Sequence, residues 1–245
     1  MAQSLVVPSS SEQSPVGTFE AFRATKVFPS LDGLRCLSIL GVIWFHVIPK
    51  QTGLVGAGFL GVDLFFAISG FLITTLLVRE WEANGRISLK AFYLRRTLRI
   101  FPLYYVVLAA YVVLTWKLER DAAAASRFWQ DLPAFLTYTS NWFVNLHGDR
   151  NIFYFAWSLA TEEQFYLFWP VTLKTSRSLL RAAMAMTAIL LVAEAVRLGL
   201  ANGVMLRSFL GWRILASIPA AICFGCLCAT GKFHNAAPFQ LDETF

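Results

Sequence analysis

The chain has 245 residues, 57% of them hydrophobic and 15% charged, with a formal net charge of +6. Ordinary soluble domains hold roughly 45–50% apolar and about 25% charged residues, so this composition excludes a conventional soluble fold. Several apolar stretches approach the ~20 residues that cross a bilayer's hydrocarbon core, and Lys and Arg gather beside them, so the charge reports membrane orientation rather than nucleic-acid binding. The fold expected is all-α: a polytopic transmembrane helix bundle of about six spans.

Residues 1–28 are polar and Ser-rich and lack the apolar core of a signal peptide, which predicts a disordered cytoplasmic tail. Span one is expected from Leu31 to Ile48, after the helix-start residues Pro29 and Ser30 and before Pro49 and Lys50. Span two, from Phe59 to Val78, follows a Gly-rich turn. The cations Arg79, Arg86, Lys90, Arg95, Arg96 and Arg99 come next, and the positive-inside rule places this connection, and with it the N-terminus, in the cytoplasm. Span three covers Phe101 to Trp116, leaving the mixed-charge stretch Lys117 to Asp131 on the outer side. Asp131 to His147 is only moderately apolar and carries Thr137, Thr139, Ser140, Asn141 and Asn145, which predicts a re-entrant or interfacial segment rather than a crossing. The span from Ile152 to Leu173 then returns inward, and Lys174, Arg177 and Arg181 after it fall in the cytoplasm. Ala182 to Leu200 and about Phe209 to Thr230 complete a transmembrane domain at 29–231, followed by a polar tail at 232–245. Cys36, Cys223, Cys226 and Cys228 all lie in apolar stretches and read as buried thiols.

A charged group near the bilayer centre costs at least ~2.5–3.5 kcal/mol on insertion scales, so each ionisable residue inside a span is a candidate functional group. Arg35 and His46 are eleven positions apart, three turns plus about 20°, and so share a helix face with a separation of about 16 Å. That geometry suits a substrate with a polyanionic head at the cytoplasmic surface and a reactive group reaching inward, such as an acyl-coenzyme A. Arg35 would engage phosphate, and His46, with an ordinary pKa of ~6.5, would take the proton from an attacking hydroxyl. The plain alternative is that Arg35 snorkels and His46 hydrogen-bonds to a neighbouring helix. Asp63, near the outer end of span two, needs a partner, and orientation of His46 is its expected task. Ser69, Gly70, Thr74 and Thr75 read as close-packing residues.

Ser158, Glu162 and Tyr166 follow a spacing of four and form one polar stripe. Glu162 would bind an acceptor hydroxyl, hold an imidazolium, or serve as a structural hydrogen-bond hub. Glu163 lies roughly 100° around the helix and is the weaker candidate. Arg95, Arg96 and Arg99 read equally as a topology signal or as a site for coenzyme phosphates. No nucleophile elbow, phosphate-cradling Gly-rich loop or metal-ligand cluster stands out.

Four segments in order, LDGLRCLSILGVIWFH from Leu31, GVDLFFAISGFLIT from Gly61, GRISLKAFYLRRTLRIFPLYY from Gly85 and WSLATEEQFYLFWP from Trp157, strongly resemble the acyltransferase-3 family of membrane O-acyltransferases. The match is strong from Leu31 to about Pro170 and weak afterwards. The resemblance implies an enzyme of the inner membrane that moves an acyl group, acetyl by default, from cytoplasmic acyl-coenzyme A to a hydroxyl, commonly on a cell-surface carbohydrate. No permanently bound cofactor or metal is implied. Residue by residue, the family's paired Arg and His fall on Arg35 and His46, its second-span acid on Asp63, its arginine motif on Arg95, Arg96 and Arg99, and the Glu of its WSL motif on Glu162. His46, Asp63 and Glu162 are thus the expected catalytic residues, and the four arginines the expected donor-binding ones. Cys36 stands where the family often has Gly. Members carry about ten core helices where this chain has room for about six, so a truncated, non-catalytic relative is one alternative reading. A transporter or flippase using the same polar stripe is another.

Overall fold

The computed structural model describes residues 22, 25, 28–47, 60–145, 152–198 and 218–236. These residues form helices α1 (Pro29–Val47), α2 (Leu60–Asn84), α3 (Leu89–Leu118), α4 (Ala122–Leu136), α5 (Ser140–Phe143), α6 (Ala156–Ser176), α7 (Leu179–Arg197) and α8 (Ala220–Ala236), with no strand among them. The all-α membrane bundle expected from composition is what the chain builds.

The helix α2 is apolar all round, as a helix enclosed by neighbours must be. It buries Phe66, Ile73, Leu77, Val78 and Trp81 against Trp169 and Leu173 of α6, Ala182 and Met186 of α7, and Ile222 and Phe233 of α8. The α2–α8 crossing is close because glycines face backbone. A Cβ on Gly70 would run into the Ile222 carbonyl oxygen, and one on Gly225 into that of Ala67. Without a hydrophobic force between helices in lipid, this small-residue packing is what holds them together. The second core joins Tyr104 and Leu108 of α3 to Phe128 and Phe135 of α4, and to Tyr138 and Phe153.

Between α3 and α6 the chain folds back on itself, and residues 131–145 of the stretch expected not to cross fall in α4, α5 and the turn between them. The helix α4 starts just after α3 ends and runs back beside it. By its C-terminus the Tyr104 and Tyr105 hydroxyls donate to the carbonyls of Phe135 and Leu136 at 2.8 and 2.9 Å, level with the middle of α3. The chain turns there, at Tyr138, into α5; residues 146–151 lie outside the described residues, and after them Phe153 packs on Tyr111 with ring centroids 4.9 Å apart. The expected boundary at Asp131 falls inside α4, because Asp121 caps the helix by accepting from the amides of Ala123 and Ala124, ten residues earlier.

Several boundaries differ from the sequence expectation. Arg79 lies in α2 and Arg95, Arg96 and Arg99 lie in α3, so the cationic connection shrinks to residues 85–88. Gly85, at φ 65°, ends α2 in the left-handed conformation, and Ser88 caps α3. Among the described helices three are long and apolar enough to cross a membrane, α2, α3 and residues 179–196 of α7. Among the described residues α6 falls short on that measure because it carries Glu162, Glu163 and Lys174, and of the expected last span residues 209–217 lie outside the described residues, leaving Ala220–Phe233 as a shorter apolar helix. The helix α8 runs on to Ala236, past the expected start of the polar tail. Cys223 and Cys226 are buried as expected, whereas Cys36 and Cys228 are exposed on outward helix faces. At Phe22, Thr25 and Phe28 the N-terminal segment is docked on α2: Arg79 donates to the carbonyls of Thr25, at 2.6 Å, and Phe22, and its guanidinium lies 4.7 and 4.9 Å from the Phe22 and Phe28 rings.

Candidate active site

A chain of polar contacts crosses the bundle. Arg35 of α1 donates from Nη2 to Ser69 Oγ of α2 at 3.2 Å, and Ser69 in turn donates to Glu162 Oε1 of α6. Tyr166, one turn further along α6, donates to the same oxygen. Beyond it the Arg96 guanidinium of α3 lies 4.6 Å from the Tyr166 ring centroid, while Arg35 lies 5.4 Å from that of Phe65. Ser69, Glu162 and Tyr166 are 0%, 6% and 3% exposed, so no water shell supports the carboxylate. An isolated buried carboxylate is prohibitively costly, and two hydroxyl donors backed by two guanidinium groups are what make this one tolerable.

The sequence dictates much of this. The spacing of four stacks Tyr166 on Glu162, and the antiparallel α1–α2 hairpin brings Arg35 level with Ser69. Below Glu162 on the same buried face, Trp169 Nε1 donates to Thr74 Oγ1 at 2.8 Å, fixing the α6–α2 register.

Beside the carboxylate lies an open pocket of about 290 Å³ lined by Ser38, Ile39, Val42 and Ile43 of α1, Gly61, Val62, Phe65 and Phe66 of α2, and Ser158, Leu159 and Glu162 of α6. Apolar walls with a few convergent polar groups are the usual make-up of a small-molecule site. Gly61 sets its width, since a Cβ there would strike the Ser38 carbonyl oxygen. Along α1 the lining positions 39, 42 and 43 lead by helical steps to position 46. The backbone of His46 belongs to α1; its side chain lies outside the described residues.

Of the remaining expected residues, Asp63, Arg95 and Arg99 do not converge on Glu162. Asp63 is exposed in the first turn of α2, where the positive end of the helix accounts for its charge. The arginine motif splits by helical phase. Arg95 and Arg99 share the outer face; Arg95 is 64% exposed and lies 3.6 Å from Glu80. Arg96 turns inward over Tyr166 and Phe92. Ser69, read as a packing residue, is the bridge between Arg35 and Glu162. Glu163, read as the weaker acid, has a buried Oε1 with no hydrogen-bond partner among the described residues. Neither role is visible without knowing which helices touch.

A family model described as an acyltransferase domain matches residues 28–240, which contain the whole of this network. The chain belongs to the acyltransferase-3 family. A Staphylococcus aureus (strain COL) protein provisionally named an O-acetyltransferase is 41% identical over 165 residues, 64% of this chain and 26% of the relative. The peptidoglycan O-acetyltransferase OatA of Listeria monocytogenes is 38% identical over 159 residues, 60% of this chain and 24% of the relative. The O-acetyltransferase OatA of Staphylococcus aureus (strain NCTC 8325) is 37% identical over 164 residues. The chain therefore spans about a quarter of the length of the curated relatives it matches. No solved structure matches it.

Proposed function

We propose that the chain carries the acyl-transfer site of a membrane O-acetyltransferase, which moves acetyl from cytoplasmic acetyl-coenzyme A to a hydroxyl of an exported carbohydrate at the inner membrane. The observation that carries the reading is the buried Arg35–Ser69–Glu162–Tyr166 network opening on an apolar pocket, inside a match to an acyltransferase domain.

In this reading the exposed Arg95 and Arg99 take the coenzyme phosphates, as paired guanidinium groups do well. Arg96 and Arg35 face inward and set the field around Glu162 instead. The thioester lies in the pocket between α1, α2 and α6. His46 is the general base: it removes the proton from the acceptor hydroxyl as that oxygen attacks the thioester carbonyl. The tetrahedral intermediate then expels the coenzyme thiolate, which takes the proton back from His46. Glu162 orients the acceptor hydroxyl or the imidazolium, and Asp63 acts on His46 from the end of α2. The N-terminus lies in the cytoplasm because the cations at the α2–α3 connection do.

The test is transfer of radiolabelled acetyl from acetyl-coenzyme A to a soluble N-acetylglucosamine oligosaccharide by the chain in proteoliposomes. The expected product is a labelled, alkali-labile ester, absent with His46→Ala. A chain that moves label across the bilayer with donor and oligosaccharide chemically unchanged is a transporter, and normal transfer by His46→Ala removes the base from the mechanism.

A further inference from the structure

The open pocket between α1, α2 and α6 has a chemical bias. Glu162 Oε1 takes both donors of the network, Ser69 and Tyr166. Its other oxygen, Oε2, has no hydrogen-bond partner among the described residues, although Glu162 is only 6% exposed and lines the pocket. The two other polar side chains of the lining have spent their protons inside their own helices: Ser38 Oγ donates to the Leu34 carbonyl at 2.8 Å and Ser158 Oγ to that of Phe155 at 3.1 Å. Toward the pocket all three therefore present acceptors, and a buried acceptor left unpaired is costly. Apart from Gly61, the rest of the lining is aliphatic or aromatic.

Position narrows what can enter. The lining of α1 runs from Ser38 to Ile43, ~7.5 Å of the ~16 Å rise between Arg35 and position 46. In the acyl-transfer reading the coenzyme phosphates stay at the cytoplasmic arginines and the thioester is served from position 46, so the part of the donor between them passes this pocket. A sugar needs polar partners all round and does not suit these walls, and a lipid chain brings no donor to Oε2. An arm of short methylene runs broken by amide N–H groups supplies both kinds of contact.

We propose that the pocket is the slot for the pantetheine arm of the acyl donor, and that Glu162 Oε2 holds the arm by accepting one of its amide N–H groups. The carbon atoms of the arm pack on the apolar walls, and its carbonyl oxygens turn to the open side. Glu162 thereby sets how far the thioester advances along α1, a positioning task on the donor side. The inference rests on the acyl-transfer reading above.

Two measurements test it, the first by turnover in proteoliposomes with an N-acetylglucosamine tetrasaccharide as acceptor. The donors are acetyl-coenzyme A, S-acetylpantetheine, and the two S-acetylpantetheine analogues in which one amide N–H or the other is replaced by an ester oxygen. One analogue should show a KM at least tenfold above that of S-acetylpantetheine, the scale of a hydrogen bond to a charged acceptor, with kcat within threefold. In Glu162→Gln, whose amide accepts more weakly than a carboxylate, that ratio should fall to threefold or less. The slot is overturned by two analogues as good as S-acetylpantetheine, by a ratio unchanged in Glu162→Gln, or by an S-acetylpantetheine that fails where acetyl-coenzyme A succeeds.

The second measurement needs no chemistry. S-Ethylpantetheine, a thioether that cannot donate, should raise the melting temperature of the chain in detergent, as a ligand of the folded state does. Ile43→Trp, which fills the slot from a half-exposed position, should abolish the rise. No rise in the unsubstituted chain, or an equal rise in Ile43→Trp, overturns the proposal. If acetyl-coenzyme A itself yields no ester, the transfer reading fails, and the melting experiment still decides on the slot.

Discussion

Ser69 and Glu162, 93 residues apart in the chain, share a buried hydrogen bond that joins α2 to α6 and through Arg35 reaches α1. One small hydroxyl thus couples a guanidinium on one helix to a carboxylate on another. Ser69→Ala should leave both without their link, at a cost of about 1.5–3 kcal/mol for a hydrogen bond to a charged group. The expected outcome is a fall in kcat of ten- to a hundredfold, on the scale of 1.4 kcal/mol per factor of ten. Ser69→Thr, which keeps the hydroxyl, should recover more activity than Ser69→Ala does, and kinetics on the three proteins side by side checks it.

The split of the arginine motif predicts a split in phenotype. Arg95→Gln and Arg99→Gln should raise the KM for acetyl-coenzyme A about tenfold each, increasingly so at low salt, and leave the melting temperature unchanged. Arg96→Gln removes the guanidinium stacked on Tyr166 and should lower the melting temperature as well. Donor titrations and thermal unfolding in detergent separate the two behaviours.

Gly70 and Gly33 should respond in opposite ways to the same change. Gly70→Ala drives a Cβ into the Ile222 carbonyl, so α2 and α8 must move apart, at a cost of about 1–3 kcal/mol. Nothing lies within 4 Å of a Cβ on Gly33, so Gly33→Ala should be neutral or stabilise α1 by up to about 1 kcal/mol through helix propensity. Thermal unfolding of both variants is the check.

The turn between α4 and α5 should loosen when its link to α6 is cut. Gln164→Leu removes three hydrogen bonds, to the Tyr138 carbonyl and the Asn141 side chain, worth about 1 kcal/mol each. Amide exchange at Thr139, Trp142 and Phe143, whose N–H groups bond at that turn, should then accelerate on the order of a hundredfold, with α2 unaffected.

How much of this was legible in the sequence follows from which periodicities are local. The apolar runs declared the helices, and the spacing of Ser158, Glu162 and Tyr166 declared a buried polar stripe. Ser69 could not be read, because a serine beside a glycine in an apolar span looks like packing until Arg35 and Glu162 are known to flank it. The arginine motif was read as one unit because three cations in five residues give no hint of which turns inward until Tyr166 is placed against Arg96. The end of α2 ran past the hydropathy minimum, to Asn84, because an α-helix continues through polar residues until a cap or a left-handed glycine, here Gly85, stops it.

The central claim is that Glu162, held by Ser69 and Tyr166, serves acyl transfer. Its most direct test is the rate of labelled acetyl transfer to the oligosaccharide by Glu162→Gln, an isosteric change that keeps the side-chain volume and removes the charge. The predicted result is a loss of at least a hundredfold with membrane insertion intact and the α2–α6 packing preserved. Transfer at the rate of the unsubstituted chain would contradict the account and leave the buried network a structural hub.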